Sequence, residues 1–78
     1  MNKQKEHELP EWFDGIKYTE GETITNPLTG ESFKCTANEA SMYDLIMGAH
    51  MTQNYVIVQK GLDWFRQANP EAYMILFD

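Results

Sequence analysis

Two turn signals close together, Thr19-Glu20-Gly21 and Pro27-Leu28-Thr29-Gly30, constrain this chain more than any other feature, because between them they set where a sheet can form. Pro27 presets the backbone angle at the start of a turn. Gly30 supplies the positive φ at its end, and Asn26 favours turn entry. Taken as a four-residue loop, Pro27 to Gly30 places Asn26 opposite Glu31 and Ile24 opposite Phe33. Taken as a three-residue loop with Gly21 left-handed, Thr19 to Gly21 places Tyr18 opposite Glu22 and Ile16 opposite Ile24. Directly opposed residues share a face, so Ile16, Ile24 and Phe33 form one apolar row across three strands. The sequence therefore predicts a three-stranded antiparallel meander. A one-residue slip in either hairpin would break the row.

The loop admits two sharper readings. Asn-Pro-Leu-Thr-Gly is close to a sortase recognition pentapeptide, but a sorting signal needs a hydrophobic segment and a basic tail after it. Neither follows Gly30. A phosphate cradle needs more than one glycine and a neighbouring Lys or Arg. The segment reads as a turn.

After the meander the hydrophobic period changes to that of helices. In the stretch Thr36 to Met51, Thr36 and Glu39 have the spacing of a capping box. Ala40, Tyr43 and Met47 form a stripe that Met42, Leu45, Ile46 and Ala49 widen, which predicts burial on more than one side. Tyr55, Val58, Leu62 and Phe65 predict a second helix over about 54 to 68, despite the β-branched run at its start. Gly61 within it marks a close approach of another backbone. Asn69 as cap and Pro70 at the first helical position open a short C-terminal helix, with a fourth strand from Tyr73 to Phe77 as the rival. The fold class is α+β: a three-stranded antiparallel meander, two α-helices and a short C-terminal helix or fourth strand. Residues 1–8 are charged and aperiodic and read as a flexible tail; residues 9–78 read as one domain.

With 78 residues the chain has room for one core, and cores of this size supply only about 3–5 kcal/mol of net stability. Self-association into a homodimer is one way to bury more. Twelve acidic residues stand against six basic ones, a net charge of −6. The basic residues are scattered, which argues against direct binding to nucleic acid and to an anionic membrane. Acidity of this kind serves solubility, or matches a partner with a basic surface. The polar start of the chain shows no apolar run of the kind a signal peptide needs. A single cysteine, Cys35, excludes an internal disulfide and fits a reducing compartment. The expected location is cytoplasmic.

Few residues offer chemistry. His7 and His50 with Cys35 make a poor metal set, so no metal and no cofactor is expected. Cys35 alternates with Phe33 on the inward face of its strand, where a small buried hydrophobe is the usual role; as a nucleophile it would need His50 beside it. Carboxylate pairs are too numerous to single out. The aromatics are more informative. Trp64 follows the inward-facing stripe by a fraction of a turn and either caps the core edge or contacts a partner, as Trp does at binding hot spots. Trp12 and Leu28, the latter at a hairpin tip, are the other candidate partner contacts.

The stretches EWFDGIKYTEGETITNPLTGES, EASMYDLIMGA and KGLDWFRQANPEAYMILFD resemble small proteins of no established activity encoded by tailed bacteriophages of marine bacteria, cyanophages in particular. The resemblance covers residues 9 to 78. It implies expression in an infected bacterial cytoplasm and assigns no site residue.

Three functions of different classes follow as expectations. The first is a small acidic, non-enzymatic interaction protein, a phage accessory factor that binds a host or phage protein. The second is an acidic mimic of nucleic acid that occupies the basic groove of a DNA-binding protein, for which the surface acids should form one stripe. The third is a small enzyme with a site between subunits, built from Cys35, His50 or a carboxylate pair.

Overall fold

The computed structural model describes residues 7–78. Its order is β1 (Glu22–Thr25), β2 (Ser32–Cys35), α1 (Ala37–Met51), α2 (Tyr55–Ala68) and α3 (Pro70–Phe77). The two strands form an antiparallel sheet in the expected register, with Ile24 opposite Phe33 and Thr25 opposite Ser32. The turn that joins them closes with the Asn26 N–H on the Glu31 carbonyl at 2.8 Å and Gly30 at a φ of 82°.

The third strand of the expected meander does not form, and among the described residues the sheet has two strands. Two contacts divert the chain that should have supplied it. The Tyr18 N–H, which a ladder would have used, donates to Ser41 Oγ on α1 at 2.8 Å. Gly21 takes no positive φ; it lies so close to the Cys35 carbonyl that a Cβ there would overlap the oxygen. Glycine at 21 thus serves a close approach to the start of α1 and not a hairpin turn. Ile16 is left 71% exposed, outside the row that Ile24 and Phe33 keep.

The helices follow their caps. Thr36 Oγ1 accepts the Glu39 N–H, and Glu39 Oε1 accepts the Thr36 N–H, so both halves of the capping box of α1 are made. Asn54 and Asn69 cap α2 and α3 with their side-chain oxygens, and Pro70 opens α3. Residues 73–77 are helical, so the fourth-strand alternative is not realised. Glu39 is buried, and its second oxygen accepts Nδ2 of Asn69 at 2.9 Å. One carboxylate therefore ties the N-terminal ends of α1 and α3 together, which satisfies a charge that would be costly to bury alone.

On α1 the buried line is Ala40, Met42, Ile46 and Ala49, while Tyr43 and Met47 lie half-buried at its flank. On α2, Val58, Gly61, Trp64 and Phe65 are buried, and Tyr55 is exposed instead of facing inward. The close approach expected at Gly61 is to a side chain and not to a backbone: a Cβ there would overlap Ile46 Cγ1 and lie 2.8 Å from its Cδ1. Gly61→Ala gains about 1 kcal/mol of helix propensity and loses about 1–3 kcal/mol by overpacking, so a net loss near 1 kcal/mol is expected in urea unfolding. Ile46→Ala removes the struck atoms. The double variant should therefore lose less than the sum of the two singles.

The tail expected over residues 1–8 falls mainly outside the described residues. His7 and Glu8 are tied to the helices: the His7 carbonyl accepts Asn38 Nδ2 at 3.0 Å, and the Glu8 carbonyl accepts Trp64 Nε1 at 3.0 Å. No described helix is long and apolar enough to cross a membrane.

Candidate functional site

The hairpin turn and the helices enclose a groove of about 450 Å³, within the range of ordinary ligand and side-chain pockets. Its floor is Ile46 of α1 and Val58 of α2, both buried. Tyr43 and Met47 of α1, Leu62 of α2 and Phe77 of α3 form half-buried walls. Helical spacing explains the set: positions 43, 46, 47 and 50 share one side of α1, and 58 and 62 share one side of α2.

The remaining wall is the turn. Pro27 and Leu28 border the groove, and Leu28 is 92% exposed on its rim. Asn26 holds the turn in place. Its Nδ2 donates to the carbonyls of Ile75 at 3.0 Å and Leu76 at 3.4 Å, and its Oδ1 accepts the Leu28 N–H at 2.9 Å. The last carbonyls of a helix lack partners within it, so Asn26 caps the C-terminal end of α3 from 49 residues away. It is 5% exposed with both amide atoms satisfied.

Of the three candidate contact residues, Leu28 lies at this groove and the two tryptophans lie elsewhere. Trp64 stands two positions beyond Leu62, roughly 200° around the helix. It is 9% exposed, meets Phe65 edge-on and is covered by His7, whose ring lies 5.7 Å away. Trp64 thus sits at the core edge with its indole N–H occupied. Trp12 is half-buried beneath the Lys60 ammonium, 5.6 Å from the ring centroid. Both tryptophans border a shallow depression of about 270 Å³ with Lys60, Asp63 and Gln67.

Cys35 and His50 are not brought together. Cys35 precedes α1 and is buried with Ala40 and Leu76, whereas His50 lies exposed near the other end of α1, edge-on to Tyr55. At 1.5 Å per residue the helix alone separates them by roughly 20 Å. Burial pushes the Cys35 thiol up to about 12, with Glu39 and Glu22 adding to the effect. The thiol form is thus favoured by folding, and its contribution to stability should be lost as pH rises from the ordinary thiol range toward 12. At pH 8 the native chain should react with an aromatic disulfide reagent far more slowly than the urea-unfolded chain. Equal rates would contradict the burial. Among the described residues, no three His, Cys, Asp or Glu side chains gather as metal ligands.

Sequence reasoning missed Asn26, Tyr43, Met47, Leu62 and Phe77 as members of one site. The i, i+4 spacing of Tyr43 and Met47 was visible, but it reads equally as core. No local signal joins Asn26 to residues 75 and 76. No protein-family model, no curated protein and no solved structure matches the chain.

Proposed function

We propose that this domain acts by binding a protein partner, with no catalytic centre of its own, and that the groove between the hairpin turn and the helices is its docking surface. The observation that carries this reading is Leu28, a large apolar side chain held almost fully exposed on the rim of an apolar groove. Burying such a side chain gains about 1.5–3 kcal/mol, and the turn that presents it is fixed by a buried amide. The high thiol pKa of Cys35 and its distance from His50 weaken the cysteine form of an enzyme. Glu39, occupied with Asn69, is one acid withdrawn from any surface stripe that would imitate nucleic acid. The setting proposed with it, from the resemblance of the sequence alone, is an infected bacterial cytoplasm with a host or phage protein as partner.

Leu28→Asp tests the reading. Its stability should stay within about 0.5 kcal/mol of the parent, as for other surface changes. Capture from bacterial lysate should recover one stoichiometric protein with the parent chain and with Ile16→Asp, whose target is exposed away from the groove, and none with Leu28→Asp. Recovery unaffected by Leu28→Asp would remove the groove from the function.

A further inference from the structure

We propose that the groove receives a positively charged amphipathic α-helix of the partner, an inference that rests on the docking role given above. Two features of the groove favour this occupant: its length and its charge.

The lining of α1 runs from Tyr43 to His50, about 10 Å at 1.5 Å per residue. Apolar anchors at i, i+3 or i+4, and i+7 of a docked helix span the same distance. The floor is shared by Ile46 of α1 and Val58 of α2, so an incoming helix would lie over the seam between two packed helices, as a further helix does in a bundle.

The electrostatics select the sign. Among the described residues no Lys or Arg lines the groove, and Asp78 contributes a carboxylate to it. His50 lies one residue from the end of α1, and Phe77 is the last residue of α3, so two helix C-termini border the site. Their last carbonyls are already bonded, by Thr52, Gln53 and Asn54 at α1 and by Asn26 at α3, so the local negative charge rests on Asp78. The whole chain adds a net charge of −6. A second copy would present the same charge and be repelled, whereas a helix with Lys or Arg flanking its apolar stripe would be attracted and oriented, its basic side chain beside Asp78.

The test is an NMR titration of the isotopically labelled full chain with three acetylated, amidated 18-residue peptides. The first carries Leu at i, i+3, i+4 and i+7 on a Lys background. The second has the same composition with the Leu positions scrambled out of helical register. The third keeps the Leu pattern on a Glu background. The first should bind at least tenfold more tightly than either control, with shifts concentrated at Leu28, Met47, Leu62 and Asp78. Leu28→Asp should abolish this binding, and Asp78→Asn should weaken it several-fold. Equal binding of the scrambled peptide, with shifts spread over the acidic surface, would overturn the helix proposal. So would binding of none of the three. Equal binding of the Glu peptide at the groove would overturn the charge argument and leave the docking role standing, since lysate capture with Leu28→Asp judges that role separately. Sedimentation showing a dimer in the parent and a monomer in Leu28→Asp would give the groove to a second copy and also overturn the proposal.

Discussion

Phe65→Ala is expected to leave the chain largely unfolded at 25 °C, without a cooperative thermal transition in far-ultraviolet circular dichroism. Phe65 is 0% exposed and lies at the centre of the main core with Met42, Ile46, Val58 and Ala72. Its ring meets Trp64 at 5.2 Å and Phe77 at 5.1 Å between centroids, both edge-to-face. Truncation of a buried Phe to Ala costs about 3–5 kcal/mol, including the cavity it leaves. A core of this size supplies about the same amount in total. Phe65→Leu refills most of the volume and should retain a transition, with a loss near 1–1.5 kcal/mol. A Phe65→Ala variant within about 1 kcal/mol of the parent would mean that the three helices do not share the core described.

The second large effect is expected at Asn26. Asn26→Ala removes one donor and one acceptor from a buried position and leaves the Ile75 and Leu76 carbonyls and the Leu28 N–H without their partner. Unsatisfied groups of this kind cost about 1–3 kcal/mol each when water cannot replace the bond, and a total near 2 kcal/mol is expected at this partly accessible helix end. Asn26→Asp should be worse at neutral pH. It keeps the acceptor for Leu28 but sets a carboxylate against two carbonyl oxygens and the negative end of the α3 dipole. Those neighbours raise the folded-state pKa of the new carboxyl above its unfolded value. The folded state then binds the proton more tightly, so the deficit should shrink as pH falls toward and through that pKa. Urea midpoints at pH 4 and pH 7 decide the matter. An Asp variant whose deficit is the same at both pH values, or larger at the lower one, would contradict the contact.

The contrast between these residues explains what could be read from the sequence. Thr36 with Glu39, and Asn69 with Pro70, act within three residues of themselves, and the helices begin where those signals place them. The pairing of Ile24 with Phe33 was legible because the turn between them carries its own chemistry in Pro27 and Gly30. Ile16 was not placed correctly, because the fate of its strand was decided by Ser41, 23 residues beyond Tyr18. Trp64 was left open between the core edge and a partner, because the carbonyl that satisfies its indole N–H lies 56 positions earlier. Of the candidate contacts, only Leu28 could be recognised at the groove, and for a local reason: it occupies the tip of a turn. The groove itself needs Asn26 to reach the end of α3, and a side-chain amide gives no sequence signal of where its bond will go.

That bond is the premise on which the docking surface stands, because without it the hairpin turn no longer forms a wall against α1 and α3. Solvent exchange of the Asn26 side-chain amide protons, measured by NMR in the native chain, tests it most directly. The account predicts that they exchange much more slowly than the side-chain amide of asparagine in a short unstructured peptide, and that an amide proton of Asn26 shows a nuclear Overhauser contact to Leu76. Exchange as fast as in an exposed asparagine, with no contact to the last turn of α3, would contradict it.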